Sequence, residues 1–330
     1  MTDAVQERYA RFAAEEAPGR SPLYAEWAAG VAGDAEVRGI LSRIPGNRRQ
    51  PALVFAVTRM LGAPSESYAV WRAFVQEHAD QVVAECAARS LQTNEPLRLA
   101  ALLPVLSEID GPLALLEIGA SAGLCLYPDR YSYRYRGSDG TVRAALDPPD
   151  GPSPVVLESR VDGPLPALRL PEVVWRAGID LSPLDARSER DRRWLRELVW
   201  PGETGREERI SAALEIAASD PPLLVAGDAG DRLDDLIARA PASATLVITT
   251  PGVLVHIPRA ARESLVDRIR RADARWVTID PPGLLDVWEP PVDAHAWSGF
   301  VVALDARVRA AADPLGAWWE WRTAAETDAS

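Results

Sequence analysis

A chain of 330 residues, 47% hydrophobic and 25% charged, has ordinary globular composition and enough length for one α/β domain with a smaller attached region. Its net charge of −12 argues against nucleic acid as the main partner, since phosphate binding needs a basic surface. All 36 basic residues are arginine; the lack of lysine excludes Schiff-base chemistry, pyridoxal phosphate held on lysine, and a P-loop with its phosphate-reading lysine.

The opening MTDAVQERYARFAAEEAPGR carries scattered charge and no apolar run, so neither a signal peptide nor a membrane span is expected. Two cysteines, Cys86 and Cys125, fit a reducing compartment and cannot make a four-cysteine metal site, which makes the cytoplasm the expected location. His78, His256 and His295 lie too far apart in sequence for a histidine-rich metal site.

Residues 1–110 read as a helical cap region. Ser21-Pro22 pairs an N-cap with proline at the first helical position, and Pro51 opens ALVFAVTRML. A polar–apolar pattern runs from Tyr68 to Cys86. Thr93 or Asn94 is expected to cap a further helix that Pro104 bends or ends. After the turn Asp110-Gly111-Pro112 the character changes. Leu113–Ile118 reads as a buried parallel strand. The stretch 131–171 is rich in Pro, Gly and Asp and reads as an insertion or flap, with strand-like pieces at Tyr131–Arg136 and Val155–Val161. Strand-like VVWRAGID, LLVAGDA, TLVITT, RWVTID, GFVVALDA and AWWEWR come next, the earlier ones separated by amphipathic helices. Such alternation predicts an α/β fold over 111–330, a Rossmann-like, mostly parallel, doubly wound sheet whose ligands bind beyond the C-terminal strand ends.

Leu115-Leu116-Glu117-Ile118-Gly119-Ala120-Ser121-Ala122-Gly123 carries most of the chemical information, and three readings stay open. As Glu-x-Gly-x-x-x-Gly it matches the S-adenosylmethionine (SAM) loop of class I methyltransferases, with Gly119 permitting the tight turn. Serine at 121, where a dinucleotide fold wants glycine, favours SAM over a pyrophosphate cofactor. As Gly-x-Ser-x-Gly it is a nucleophile elbow at Ser121, with Asp228 and His256 completing a triad in order. The preceding region, however, lacks the strands and the oxyanion segment that an α/β-hydrolase needs. Third, the small residues serve only close strand–helix packing, with no ligand at all; for the protein as a whole, a non-catalytic ligand-binding protein is a further alternative. Asp180 and Asp228 end the next two strands, where acids can take a ribose and an adenine amino group, Ala229 coming next in the latter loop; each is equally suited to capping a helix. Asp180 lies beyond the usual ~20-residue interval after a glycine loop, which requires the flap to be an insertion. His256 comes after the fourth of these strands, and Asp280-Pro281-Pro282 after the fifth.

The segments QTNEPLR (92–98), LLEIGASAGLCLYPDRY (115–131), WRAGIDLSPLD (175–185), RWLRELVWP (193–201), VAGDA (225–229) and LGAWWEW (315–321) together resemble a bacterial family of unknown function grouped by fold with the SAM-dependent methyltransferases. The resemblance implies a class I methyltransferase-like fold and a SAM site. It supplies neither substrate nor activity. Cys125 and Leu315 depart from the asparagine and histidine expected of the family, which puts activity in doubt if either position is catalytic. The resulting expectation is a SAM-dependent methyltransferase acting on a small-molecule acceptor. Its cofactor site comprises Glu117, Gly119, Ala120, Ser121, Gly123, Asp180, Asp228 and Ala229. Asn94, Glu95 and His256 are the catalytic candidates, although Asn94 and Glu95 are equally suited to helix capping.

Overall fold

The computed structural model describes residues 4–322. Helices come first: α1 (Ala4–Arg11), α2 (Pro22–Gly33), α3 (Ala35–Leu41), α4 (Pro51–Leu61), α5 (Tyr68–Glu77), α6 (Ala79–Ala88) and α7 (Arg98–Leu106). Strands come after them: β1 (Leu113–Ile118), β2 (Ser132–Arg136), β3 (Val142–Leu146), β4 (Val156–Asp162) and β5 (Val173–Asp180). The chain continues through α8 (Glu189–Glu197), α9 (Arg206–Ser219), β6 (Leu223–Ala226), α10 (Ala229–Ile237), β7 (Thr245–Pro251), α11 (Arg259–Arg271) and β8 (Arg275–Asp280). It closes with β9 (Phe300–Leu304), β10 (Arg307–Ala312) and β11 (Trp318–Trp321).

Two compact units divide the chain: residues 1–93 with 187–211, and 94–186 with 212–330. Helices run on to Leu106, close to the expected boundary at 110, but α7 groups with the second unit and residues 187–211 group with the helical one. In the helical unit Ser21 accepts a hydrogen bond from the Tyr24 N–H with Pro22 at the first helical position, and α4 ends on Gly62 at φ +106°. Its core is aromatic. Trp27 stacks on Trp71 at 5.4 Å, and the Trp71 indole donates to Thr58 Oγ1 at 2.8 Å.

The second unit holds an eleven-stranded sheet in the order β3-β2-β4-β11-β10-β9-β8-β7-β1-β5-β6. The run β8-β7-β1-β5-β6 is parallel throughout. All six residues of β1 are buried, as a central strand covered on both faces requires. From β1 the chain builds outward through β5 to β6, then returns to β7 on the other side and on to β8. The β1/β7 boundary is thus the topological switch point.

Segment 131–171 is not a separate flap: β2, β3 and β4 extend the sheet itself, β4 pairing with β11. Strand β11 accordingly lies inside the sheet, between β4 and β10, and not at an edge. Helix α7 belongs to this unit because it is apolar all round, every residue from Leu99 to Leu106 being buried. It packs on β4, β8 and β9. Pro104 does not end it early, since the helix runs on to Leu106.

Candidate functional site

The turn after β1 is as tight as glycine allows, with Gly119 at φ +76° and Gly123 at φ +73°. Beyond the turn the chain departs from the expected strand–helix step. No α-helix opens there; a three-residue 3-10 turn, Leu124–Leu126, leads on toward β2. The turn's backbone donors are also committed. Gly119 and Ala120 N–H both donate to the Ile179 carbonyl, at 2.8 and 3.2 Å, and Ser121 N–H donates to Asp180 Oδ2 at 2.8 Å. A pyrophosphate would find no helix N-terminus here, and the amides of Gly119, Ala120 and Ser121 are already taken. Gly119 also leaves no open cradle: a Cβ there would lie 2.5 Å from Val253 Cγ2, and the missing side chain makes room for Val253. Ala120 sits against Gly178 of β5, where an added Cβ would collide with the alanine methyl.

Asp180 is half-buried and tied to its surroundings through both oxygens, Oδ1 accepting from Ser182 N–H at 2.8 Å. Asp228 is exposed and caps α10 through Gly230 N–H at 2.7 Å, with Ala229 as the first helical residue. Ser121 has φ +52° and is 4% exposed. His256 is exposed on a 3-10 turn after β7. The expected capping of α7 by Thr93 or Asn94 is not formed: the helix starts at Arg98, and its cap residue Leu97 makes no side-chain cap.

Glu95 instead contacts the 3-10 turn that follows the glycine turn, through Cys125. Glu95 is 1% exposed; its Oε1 accepts from Leu97 N–H at 3.0 Å, and its carbonyl accepts from Cys125 Sγ at 3.4 Å. Asn94 is 9% exposed with a left-handed backbone, φ +34°, and its Nδ2 has no partner among the described residues. A non-glycine residue there stores strain of the kind found at functional sites.

The residue that organises the cluster is one to which the sequence assigns no role. Arg98 donates from Nη1 to the Pro251 carbonyl at 2.8 Å and from Nε to the Pro314 carbonyl at 3.0 Å. Gly252, at φ +70°, makes room for it: a Cβ there would lie 3.2 Å from Arg98 Nη2. The guanidinium is thereby fixed at the end of β7. Two buried carboxyls feel its charge, Glu117 on β1 and Asp280 at the end of β8, the strands on either side of β7.

Both carboxyls are held high by their surroundings. Glu117 is 3% exposed with Oε2 unpartnered among the described residues, and burial pushes it well above the ordinary glutamate value against the pull of Arg98. Asp280 is fully buried; burial raises it to about 8 despite the Thr278 hydroxyl bond and the charges of Arg98 and Arg262. Its Oδ1 also has no partner among the described residues. A strand-terminal acid before two prolines is the only sequence signal for Asp280, and Asp147-Pro148-Pro149 repeats that string on a loop.

The two departures from the family pattern border this cluster. Cys125 is 8% exposed and its thiol is pushed well above its usual value by burial, so it is no reactive thiolate. Leu315 lies in the turn whose Pro314 carbonyl holds Arg98. Among the described residues no group of histidines, cysteines and carboxylates is placed to hold a metal ion, and no helix is long and apolar enough to cross a membrane. No curated protein and no solved structure matches the chain. Over residues 6–321 it matches the family described as an uncharacterized protein conserved in bacteria (DUF2332), and it belongs to that family.

Proposed function

For this member of an uncharacterised bacterial family, we propose a SAM-dependent methyltransferase that binds its cofactor at the switch point between β1 and β7 and methylates a small-molecule acceptor. The observation that carries the reading is Glu117, a buried carboxyl with an unpartnered oxygen at the end of β1. SAM offers an ammonium group for that acid and a carboxylate for the fixed guanidinium of Arg98. The committed turn amides favour the same choice, because SAM has no pyrophosphate to lose their support.

Asp180 keeps lone pairs beyond those its two backbone donors occupy, available to ribose hydroxyls. Asp228 has its second oxygen for an adenine amino group while the first caps α10. When bound, the cofactor supplies an activated methyl group, and transfer needs chiefly alignment with the acceptor. A base is required only where the acceptor must lose a proton. Glu95, His256 and Asp280 are the candidates, Asp280 being the one raised toward neutrality. The serine-hydrolase alternative has only the left-handed backbone of Ser121 in its favour; that serine is buried, no α-helix opens at its turn, and His256 is exposed.

Thermal melting tests the reading. SAM or S-adenosylhomocysteine at one hundred times a micromolar Kd raises stability by about 2.7 kcal/mol. An unmoved transition with both ligands contradicts it.

A further inference from the structure

The turn 253–257 after β7 is held by two side chains that come later in the chain. Val253 fills the room that Gly119 leaves, Leu254 is fully buried, and His256 is exposed. Arg262, on α11, donates from Nη1 to the Ile257 carbonyl at 3.0 Å and lies 3.5 Å from that of Leu254. Asp280, at the end of β8, has the Leu254 N–H close enough to favour its ionised form. Leu254 thus meets a cation at its carbonyl and an acid at its N–H.

Both side chains keep a polar atom in reserve. Oδ2 of Asp280 accepts the Thr278 hydroxyl, while Oδ1, and Nε of Arg262, are buried without a partner among the described residues. Such atoms are uncommon in folded chains and call for a reason. The groups that act on the Asp280 carboxyl are Thr278 from its own strand, Arg98 from α7, Arg262 from α11 and the Leu254 N–H. All four favour its ionised form, and burial alone opposes it. The coupling is reciprocal: a group that favours the ionised carboxyl is held more strongly by it than by the neutral one.

We propose that Arg262 and Asp280 are positioning residues of the switch-point site, setting the 253–257 turn and, through Val253, the glycine turn, with a hold that tightens when Asp280 loses its proton. Their role in ligand binding rests on the SAM reading; the coupling of Asp280 to Val253 belongs to the free chain and does not depend on it. Because burial raises Asp280 to about 8, the change is centred there.

The Val253 methyl resonances of the full chain, assigned with Val253→Ala and followed by NMR from pH 6 to pH 9.5 without ligand, test the coupling. One step near pH 8 is expected in the parent chain and none in Asp280→Asn. Arg262→Met is expected to shift these methyls at every pH and to weaken SAM at least tenfold in calorimetry. Arg262→Lys keeps the charge and a donor, and is expected to restore most of both. From pH 6.5 to pH 9 the SAM affinity of the parent chain relative to Asp280→Asn is expected to rise at least threefold, a ratio that cancels the titration of SAM itself. No step in the parent chain, the same step in Asp280→Asn, a flat affinity ratio where SAM binds, or Arg262→Lys as impaired as Arg262→Met overturns the proposal. A step that Asp280→Asn abolishes, with no SAM heat in any chain, upholds the coupling and counts against the SAM reading instead.

Discussion

Val253 occupies the space that a side chain on Gly119 would need, its Cγ2 lying 2.5 Å from the position of an added Cβ. The glycine turn after β1 and the segment after β7 are thereby locked together across the switch point. Gly119 also sits at φ +76°, so two independent penalties meet at one residue.

Gly119→Ala is expected to lose about 2–4 kcal/mol in urea unfolding, from left-handed strain and overpacking together. Removing Cγ2 by Val253→Ala relieves part of the second penalty. The double variant should therefore be more stable than the sum of the single effects by at least about 0.5 kcal/mol. Additive losses would show that the two side chains do not compete for space.

Arg98 joins the end of β7 to the 313–317 turn through two carbonyls, and it is a cation that both Glu117 and Asp280 feel. Arg98→Met leaves both carbonyls without their donor and is expected to cost about 1–3 kcal/mol. The loss should grow from pH 5 to pH 8, because Arg98 favours the ionised carboxyls and they ionise only as pH rises. A pH-independent loss would mean that Arg98 acts through its hydrogen bonds alone.

Asp280 has a folded pKa of about 8 against an ordinary value of 3.8. Between those values the folded chain holds a proton that the unfolded chain releases, so this group's contribution to stability is present at low pH and lost as pH rises toward 8. Asp280→Asn cannot ionise and retains an oxygen to accept the Thr278 hydroxyl. Its melting temperature relative to the parent chain should therefore climb steadily from pH 4 to pH 8. A constant difference across that range would place the carboxyl's titration elsewhere.

Glu95 is buried and accepts from the Leu97 N–H through Oε1, an interaction glutamine can keep. Glu95→Gln should leave stability nearly intact and weaken SAM binding at least tenfold, about 1.4 kcal/mol. Unchanged affinity would return Glu95 to a purely local role in the turn before α7.

The parallel core was legible because its strands are short apolar runs separated by periodic helices. Leu113–Ile118, VVWRAGID, TLVITT and RWVTID all fall where expected. Strands β3 and β10 were not legible. Val142–Leu146 is mostly exposed and does not alternate, and Arg307–Ala312 has only arginine and alanine besides Val308, with little β character. The hairpin joining β9 to β10 turns on Asp305 and Ala306, both at positive φ, without the glycine that usually announces such a turn. At the site, the glycine turn and the strand-end acids were visible as residue types, yet their use was not. Whether Asp228 caps a helix or Asp180 holds a backbone amide depends on orientation, which one sequence does not record. Arg98 was obscure for a related reason: its partners are carbonyls 153 and 216 residues away, and carbonyls leave no mark on side-chain patterning.

If Glu117 receives the ammonium group of SAM at the switch point, removing its charge must weaken the cofactor. Isothermal titration of the full chain with SAM, compared with Glu117→Gln, measures this most directly. The expected result is one site of micromolar Kd in the parent chain, weakened at least tenfold in the variant at comparable thermal stability. No heat of binding in the parent chain, or equal affinity in the two, would contradict it.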